Sequence, residues 1–180
     1  LYRVTYIGGE DTSPVVHTAV VDDKRELRKQ LASFHGKQDS KAVSTAWPEL
    51  SSKDRFIRAA ARTALEHQPL AEWEAKALSE RDATAQLEEL LALVRVTGVC
   101  PTHRAETHVV NTAKRDAVIA ALLKHDFTKL SNEQRLAYVR LMEIILHRFG
   151  NPDNATIATI IAKLDPAYPA DNFELNWLLT

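Results

Sequence analysis

The chain has little or nothing of several features that would assign it to a functional class. Its 180 residues include one cysteine, Cys100, so no internal disulfide can form. The cysteine content therefore does not indicate the cellular compartment. No apolar run approaches the roughly 20 residues of a membrane span, and we expect no membrane insertion. Gly8-Gly9 is not followed by the helix and lysine of a phosphate-binding loop.

Positive charge is not in surplus either. Lys and Arg total 23 against 24 Asp and Glu, which gives a net charge of -1 and a pI of about 6.7. Sequence-independent nucleic-acid binding needs an excess of Lys and Arg to neutralise phosphates, so we expect no nucleic-acid partner. Hydrophobic residues make up 45% and charged residues 26%, the ordinary mix of a globular protein.

Most of the chain has the apolar periodicity of amphipathic helices. After Val21 the spacing of apolar residues changes from two to about 3.6, and capping residues precede most of the periodic stretches. Ser51 with Asp54, and Ser131 with Gln134, have capping-box spacing. The predicted helical stretches are 22–36, 40–47, 51–67, 70–80, 82–98, one after 111, 131–150, 153–166 and 172–180. Short turns between such helices suggest antiparallel pairs stacked side by side.

The N-terminal residues have a different pattern. Leu1 to Ile7 alternates apolar and polar residues as a strand does, and Val15 to Val21 is a weaker second candidate. A lone hairpin is marginal in water, so we expect the first strand to belong to a sheet upstream. The sequence therefore predicts a division into a tail of a preceding β domain at 1–21 and a helical domain at 22–180. The chain starts at Leu1 and reads as a piece of a longer protein.

One predicted helix carries a recognisable repeat pattern. The residues concerned are Asp54, Ile57-Arg58, Ala61 and Ala64-Leu65. This pattern resembles the second helix of HEAT repeats, in which Ile and Leu fill the groove, alanines allow close approach and Arg commonly pairs with an Asp near a turn. The predicted fold is all-α, a HEAT-like α-solenoid preceded by a short strand or extended segment left from the β domain.

A second resemblance covers nearly the whole chain. It is carried by Leu1-Tyr2-Arg3-Val4-Thr5-Tyr6, Trp47-Pro48, Asp54-Arg55-Phe56-Ile57-Arg58, Ala64-Leu65-Glu66-His67-Gln68-Pro69, Arg148-Phe149-Gly150 and Glu174-Leu175-Asn176. This order resembles large exported bacterial proteins in which a sugar-dehydrogenase-like β-propeller precedes a HEAT-like region, often followed by a c-type cytochrome or haem-binding domain. The resemblance implies a periplasmic or cell-envelope location. It supplies no catalytic residues for this region.

What the resemblance implies for function is a non-catalytic scaffold. The segment would space or dock the propeller dehydrogenase against a neighbouring domain or protein partner. The chain lacks the haem-attachment motif Cys-x-x-Cys-His, since Cys100-Pro101-Thr102-His103 has one cysteine, so we expect no cofactor in this segment. A stand-alone protein-binding solenoid, unrelated to redox chemistry, is an alternative.

Cys100, His103 and His108 form the candidate metal site of a further alternative, a small metal-dependent module. Thiolate and imidazole are zinc ligands, and three of them with a water would make an open site. The spacing is not a standard one, and a structural loop is the competing interpretation.

Other polar and aromatic residues are interpreted as structural. Arg58 and Arg62 are expected either to pair between repeats or to be solvated, and Glu88-Glu89 is expected to lie on an exposed helix face. The three tryptophans, Trp47, Trp73 and Trp177, are expected to pack in the core or between helices, and lining a ligand groove is the alternative.

Overall fold

The computed structural model describes residues 2–15 and 22–180. The regular secondary structure in these ranges is entirely helical, which confirms the predicted all-α class. The described α-helices are α1 (Asp23–Ala32), α2 (Ala42–Ala46), α3 (Arg55–Glu66), α4 (Glu74–Ser79), α5 (Ala83–Thr97), α6 (Thr112–Leu123), α7 (Asn132–Phe149), α8 (Asn154–Leu164) and α9 (Phe173–Leu179). Short 3-10 turns cover Trp47–Ser51, Leu70–Glu72, Pro101–His103, Phe127–Lys129 and Asp165–Ala167.

Side-chain caps explain where most helices begin. A capping oxygen accepts a backbone N–H of the first turn, at 2.7 to 3.3 Å, and so satisfies a donor that has no partner within the helix. The caps of α1, α3, α5, α6, α7, α8 and α9 are Asp22, Asp54, Asp82, Asn111, Ser131, Asp153 and Asn172.

The two predicted capping boxes have different outcomes. The one at Ser131 and Gln134 is confirmed, since each side chain bonds the other residue's backbone N–H. The one at Ser51 is wrong. Ser51 is the last residue of the 3-10 turn Trp47–Ser51, and Ser52 is extended, so the helix begins only at Arg55 with Asp54 as its cap.

The odd-numbered helices pack against one another in chain order. α3 contacts α1 and α5, and α7 contacts α5 and α9, while α4 contacts α5 and α6. The first turns of α5 and α7 meet where Gln134 donates to the hydroxyl of Thr84 at 2.9 Å. At the other end Arg95 of α5 pairs with Glu66 of α3 at 2.7 Å. Near the start of α3, Arg58 also contacts Glu88 of α5, and at the end of α7, Arg148 contacts Gly98 directly after α5. Since each pair is in contact towards both ends, α3, α5 and α7 run in the same direction.

The core lies between these helices. Leu65, Leu90 and Leu93 are fully buried where α3 meets α5. The helix α7 is apolar on a wide arc, as the sequence predicts, and it is covered by α5, α6 and α9. No helix among the described residues combines the length and the apolarity that crossing a bilayer would require.

The predicted N-terminal strand is not confirmed. Residues 2–15 contain neither helix nor strand, and Tyr2, Val4 and Ile7 are almost completely exposed. A strand needs a neighbour for its backbone hydrogen bonds, and none pairs with these residues within the described ranges. Apart from Val15, the second candidate strand lies outside the described residues. The division at residues 21 and 22 stays a prediction, although α1 begins directly after it.

Candidate functional site

The predicted metal-site residues lie in the connection between α5 and α6. Cys100 directly precedes the 3-10 turn Pro101–His103. His108 follows this turn in irregular backbone. The connection is therefore an exposed loop, and its geometry depends on what holds it against the rest of the protein.

Two arginines attach this loop to the C-terminal end of α7. Arg148 donates to the carbonyl of Gly98 at 2.6 Å, and Arg104 donates to the carbonyl of Arg148 at 2.6 Å. Gly98 lies so close to α7 that a Cβ atom there would be 2.8 Å from the ring of Phe149. A glycine at this position lets the loop approach the helix.

The attached loop places Cys100 against His147, a histidine that was not among the predicted site residues. The Sγ atom of Cys100 lies 3.8 Å from Nε2 of His147 in the last turn of α7. Hydrogen bonds from His147, then from the backbone of Thr102 and the ring of His103, lower the pKa of the Cys100 thiol to about 6. The thiolate is therefore the main form of this partly exposed side chain at neutral pH.

The metal prediction is not supported by an assembled ligand set. The ring of His103 is near the Cys100 thiol and is one of the groups that lower the pKa of that thiol. His108 is not among these groups. Across the two described ranges, no group of three or more His, Cys, Asp or Glu side chains is arranged to hold a metal ion. Cys100, His103 and His108 as metal ligands thus stay a prediction, which metal content after chelator-free purification would test.

A pocket of about 300 Å³ opens beside the Cys100–His147 pair. Its other lining residues are Leu91, Arg95, Arg140, Glu143, Ile144 and Arg148. Two of the guanidinium groups have carboxylate partners, because Arg95 pairs with Glu66 at 2.7 Å and Arg140 with Glu143 at 2.5 Å. The pocket combines a polar, arginine-rich rim with an accessible sulfur.

A second candidate is an apolar groove of about 680 Å³ between α7 and α9. Phe173 and Trp177 on α9 are 76% and 74% exposed, with ring centroids 6.4 Å apart. Leu136 of α7 forms the opposite wall, and Arg140 and Glu174 also line the groove. Exposed apolar surface of this kind is typical of interaction sites.

The expectation for the tryptophans is therefore wrong at one position. Trp73 is 1% exposed and donates to the carbonyl of Gln68 at 3.5 Å, and Trp47 packs against the core. Trp177 lies on the side of α9 that no described helix covers. Helical spacing identified an apolar face but gave no information about which helix would cover it.

Arg58 and Arg62 of α3 pair with other helices, and their partners are Glu residues and not the Asp that the resemblance to HEAT repeats implies. Arg58 is buried and donates to Glu88 of α5 at 3.3 Å, to Glu133 of α7 and to the carbonyl of Ser52 at 2.8 Å. Arg62 reaches Glu88 at 2.6 Å. Arg58 thus connects α3, α5 and α7 at their N-terminal ends, which is a structural role.

The expectation that Glu88-Glu89 lies on an exposed face is wrong. Glu89 is fully buried and has no hydrogen-bond partner among the described residues. Glu88 forms ion pairs with Arg58 and Arg62. Burial, with a smaller contribution from the nearby Glu80 carboxylate, raises the pKa of Glu89 to about 8. Glu89 is therefore protonated at neutral pH, which avoids a buried unpaired charge.

No family model, curated protein or solved structure matches the chain. The similarity to HEAT repeats and to exported redox proteins rests on the residues quoted under Sequence analysis and stays a prediction.

Proposed function

We propose that the chain is a non-catalytic HEAT-like scaffold that docks a protein partner or a neighbouring domain of a larger exported redox protein, in the periplasm or cell envelope. Helical stacks present long surfaces to partners, and such a role needs no reaction centre. The redox context and the location rest on the resemblance quoted above.

The order of helix contacts supports the solenoid part of the proposal. In a solenoid each repeat contacts its neighbours in sequence, and here α3 lies between α1 and α5, and α7 between α5 and α9. The even-numbered helices α4 and α6 contact each other and α5, as a second layer of helix pairs would. Arg58 links three successive odd-numbered helices, a pairing that repeats of one kind would use.

The single observation that carries the docking role is the exposed aromatic pair on α9. Phe173 and Trp177 are one helical turn apart and border an almost entirely apolar groove. Aromatic side chains contribute much of the binding energy of interfaces, and burying one contributes about 2 kcal/mol or more. A largely exposed aromatic pair is thus best explained as a contact surface.

The groove fits an amphipathic helix as its occupant. It lies between two helices, so another helix packs there as ridges into grooves. Arg140 and Glu174 supply one positive and one negative group at the groove, which suits a helix with charges of both signs flanking its apolar stripe.

Hydroxyl-radical footprinting of the natural, full-length protein tests this proposal. Trp177 and Phe173 should be protected, whereas Phe56, 57% exposed on α3, should be oxidised as a reference. Oxidation of Trp177 at the rate of a free tryptophan, in the natural protein with its partners present, would contradict docking at this groove.

The intact mass and visible spectrum of the same preparation separate the redox scaffold from a stand-alone solenoid. A mass far above 20.2 kDa with a c-type haem band supports the redox context. A mass near 20.2 kDa without a chromophore rejects that context and leaves a free-standing binding module.

A further inference from the structure

We propose that Cys100, paired with His147, is a nucleophilic thiol site that forms mixed disulfides with small disulfides bearing carboxylate groups. The inference is independent of the docking role, because it concerns the pocket between α5, the loop and the C-terminal half of α7. It rests on three observations: a thiol–imidazole pair, access to the sulfur, and a cationic excess in the adjoining pocket.

The pair has the geometry of an activated thiol. Nε2 of His147 lies 3.8 Å from Sγ, within the range of a hydrogen bond to sulfur, so a protonated Nε2 donates to the thiolate. His147 belongs to the 18-residue helix α7, and the loop bearing Cys100 is tied to the same helix by Arg104 and Arg148. Both partners are therefore held on one rigid element.

The charges around the sulfur favour an anionic reactant. Arg95 of α5 and Arg140 and Arg148 of α7 face the pocket together with Glu143, while Glu66 reaches Arg95 from outside the lining. Apart from the reacting thiolate itself, three guanidinium groups thus stand against two carboxylates. Arg140 and Glu143 are 59% and 56% exposed, so their pair is weak and Arg140 is free to turn to a ligand carboxylate.

The reaction is a thiol–disulfide exchange. The Cys100 thiolate attacks one sulfur of the disulfide, a new S–S bond forms and the original S–S bond breaks. The electron pair leaves with the second sulfur as a thiolate, which takes a proton from water. The small disulfide is the oxidant, and one of its sulfurs stays on Cys100. The pocket of about 300 Å³ has room for one arm of such a molecule.

Alkylation by neutral iodoacetamide, followed by intact mass, tests the activation. Because the imidazole of His147 lies beside the sulfur, a larger fraction of Cys100 is thiolate at pH 6.5 than the roughly 1% of an ordinary cysteine. The lower intrinsic nucleophilicity of such a thiolate offsets part of this gain, so the folded chain should react severalfold faster than the same chain in denaturant. His147→Asn should lose this advantage and shift the midpoint of the pH profile upward.

Charge selectivity is tested with two disulfides of similar size, the dithiodipropionate dianion and the cystamine dication. The folded chain should prefer the dianion severalfold relative to its denatured form. Arg140→Gln should reduce the preference, and Lys129→Gln, in the turn before α7, should leave it unchanged. Equal rates for folded and denatured chains would overturn the activated thiol, and an unchanged preference between the two disulfides would overturn the selectivity.

Discussion

The buried guanidinium of Arg58 on α3 lies 3.3 Å from the carboxylate of Glu88 on α5, and the two residues are 30 positions apart in the chain. The remaining nitrogens of Arg58 bond the carbonyl of Ser52 and the carboxylate of Glu133. Removing Arg58 takes a donor from the Ser52 carbonyl and from Glu88, which keeps only Arg62, and loss of a buried donor is where single substitutions are most damaging.

Arg58→Met should lower the free energy of unfolding by about 2 kcal/mol, because Glu88 and the Ser52 carbonyl lose a buried donor while the volume is nearly kept. Urea unfolding followed by circular dichroism measures this. Arg140→Met removes an exposed pair and should change the value by less than about 0.5 kcal/mol. Equal effects of the two variants would contradict the structural role given to Arg58.

Glu89→Gln should flatten the pH dependence of stability between about pH 5 and 8. The folded pKa is raised to about 8 from an ordinary value near 4.5, so the folded state binds the proton more tightly than the unfolded chain. Stability is therefore lost as pH rises through this window, by up to roughly 3 kcal/mol between pH 4.5 and 7. The slope of the unfolding free energy against pH is the quantity to compare. The buried amide of the Glu89→Gln variant also lacks hydrogen-bond partners, so the absolute stability of the variant is less informative.

The measurement for Glu89 is the unfolding free energy at several pH values for the wild type, Glu89→Gln and Glu143→Gln. Glu143 is exposed, so its variant should keep the wild-type slope. A wild-type curve that does not fall between pH 5 and 8, or a slope that Glu89→Gln leaves intact, would show that Glu89 titrates normally.

Gly98→Ala should destabilise the protein by about 1 to 3 kcal/mol. The added methyl group would meet the ring of Phe149 at 2.8 Å and the carbonyl oxygen of Val94 at 2.9 Å, so the loop must move away from α7. Gly9→Ala is the matched control, because a Cβ there meets no atom within 4 Å. Thermal unfolding of both variants measures the difference, and similar midpoints would contradict the close approach.

Acrylamide quenching should distinguish the tryptophans. Trp177 is 74% exposed and should be quenched readily, whereas Trp73 is 1% exposed and should be protected. Trp177→Phe should remove most of the quenchable fluorescence with little loss of stability, because the ring contributes little buried area. If Trp73→Phe removed the quenchable component instead, the assignment of the exposed surface would be wrong.

Local features of the fold could be predicted from the sequence because their causes are local. Ser131 and Gln134 cap α7 through atoms three residues apart, and Asp82 caps α5 in the same way. The apolar arc of α7 likewise indicates a helix covered on several sides, and α5, α6 and α9 cover it. Hydrophobic periodicity and capping chemistry were sufficient for the all-α class.

Contacts between distant residues were decided only by the tertiary structure. Cys100 was selected as a candidate, but its partner His147 is 47 residues away and no spacing rule connects them. Glu89 appeared exposed because it follows Glu88, yet the packing of α5 turns it inward and takes away its solvent. Trp177 has the periodicity of a packed residue and stays exposed because no described helix covers that side of α9. The sequence by itself determined which segments are helices. The free energy of the whole packed assembly decides which helix faces meet. It therefore also decides where a thiol becomes reactive and where an aromatic pair stays exposed.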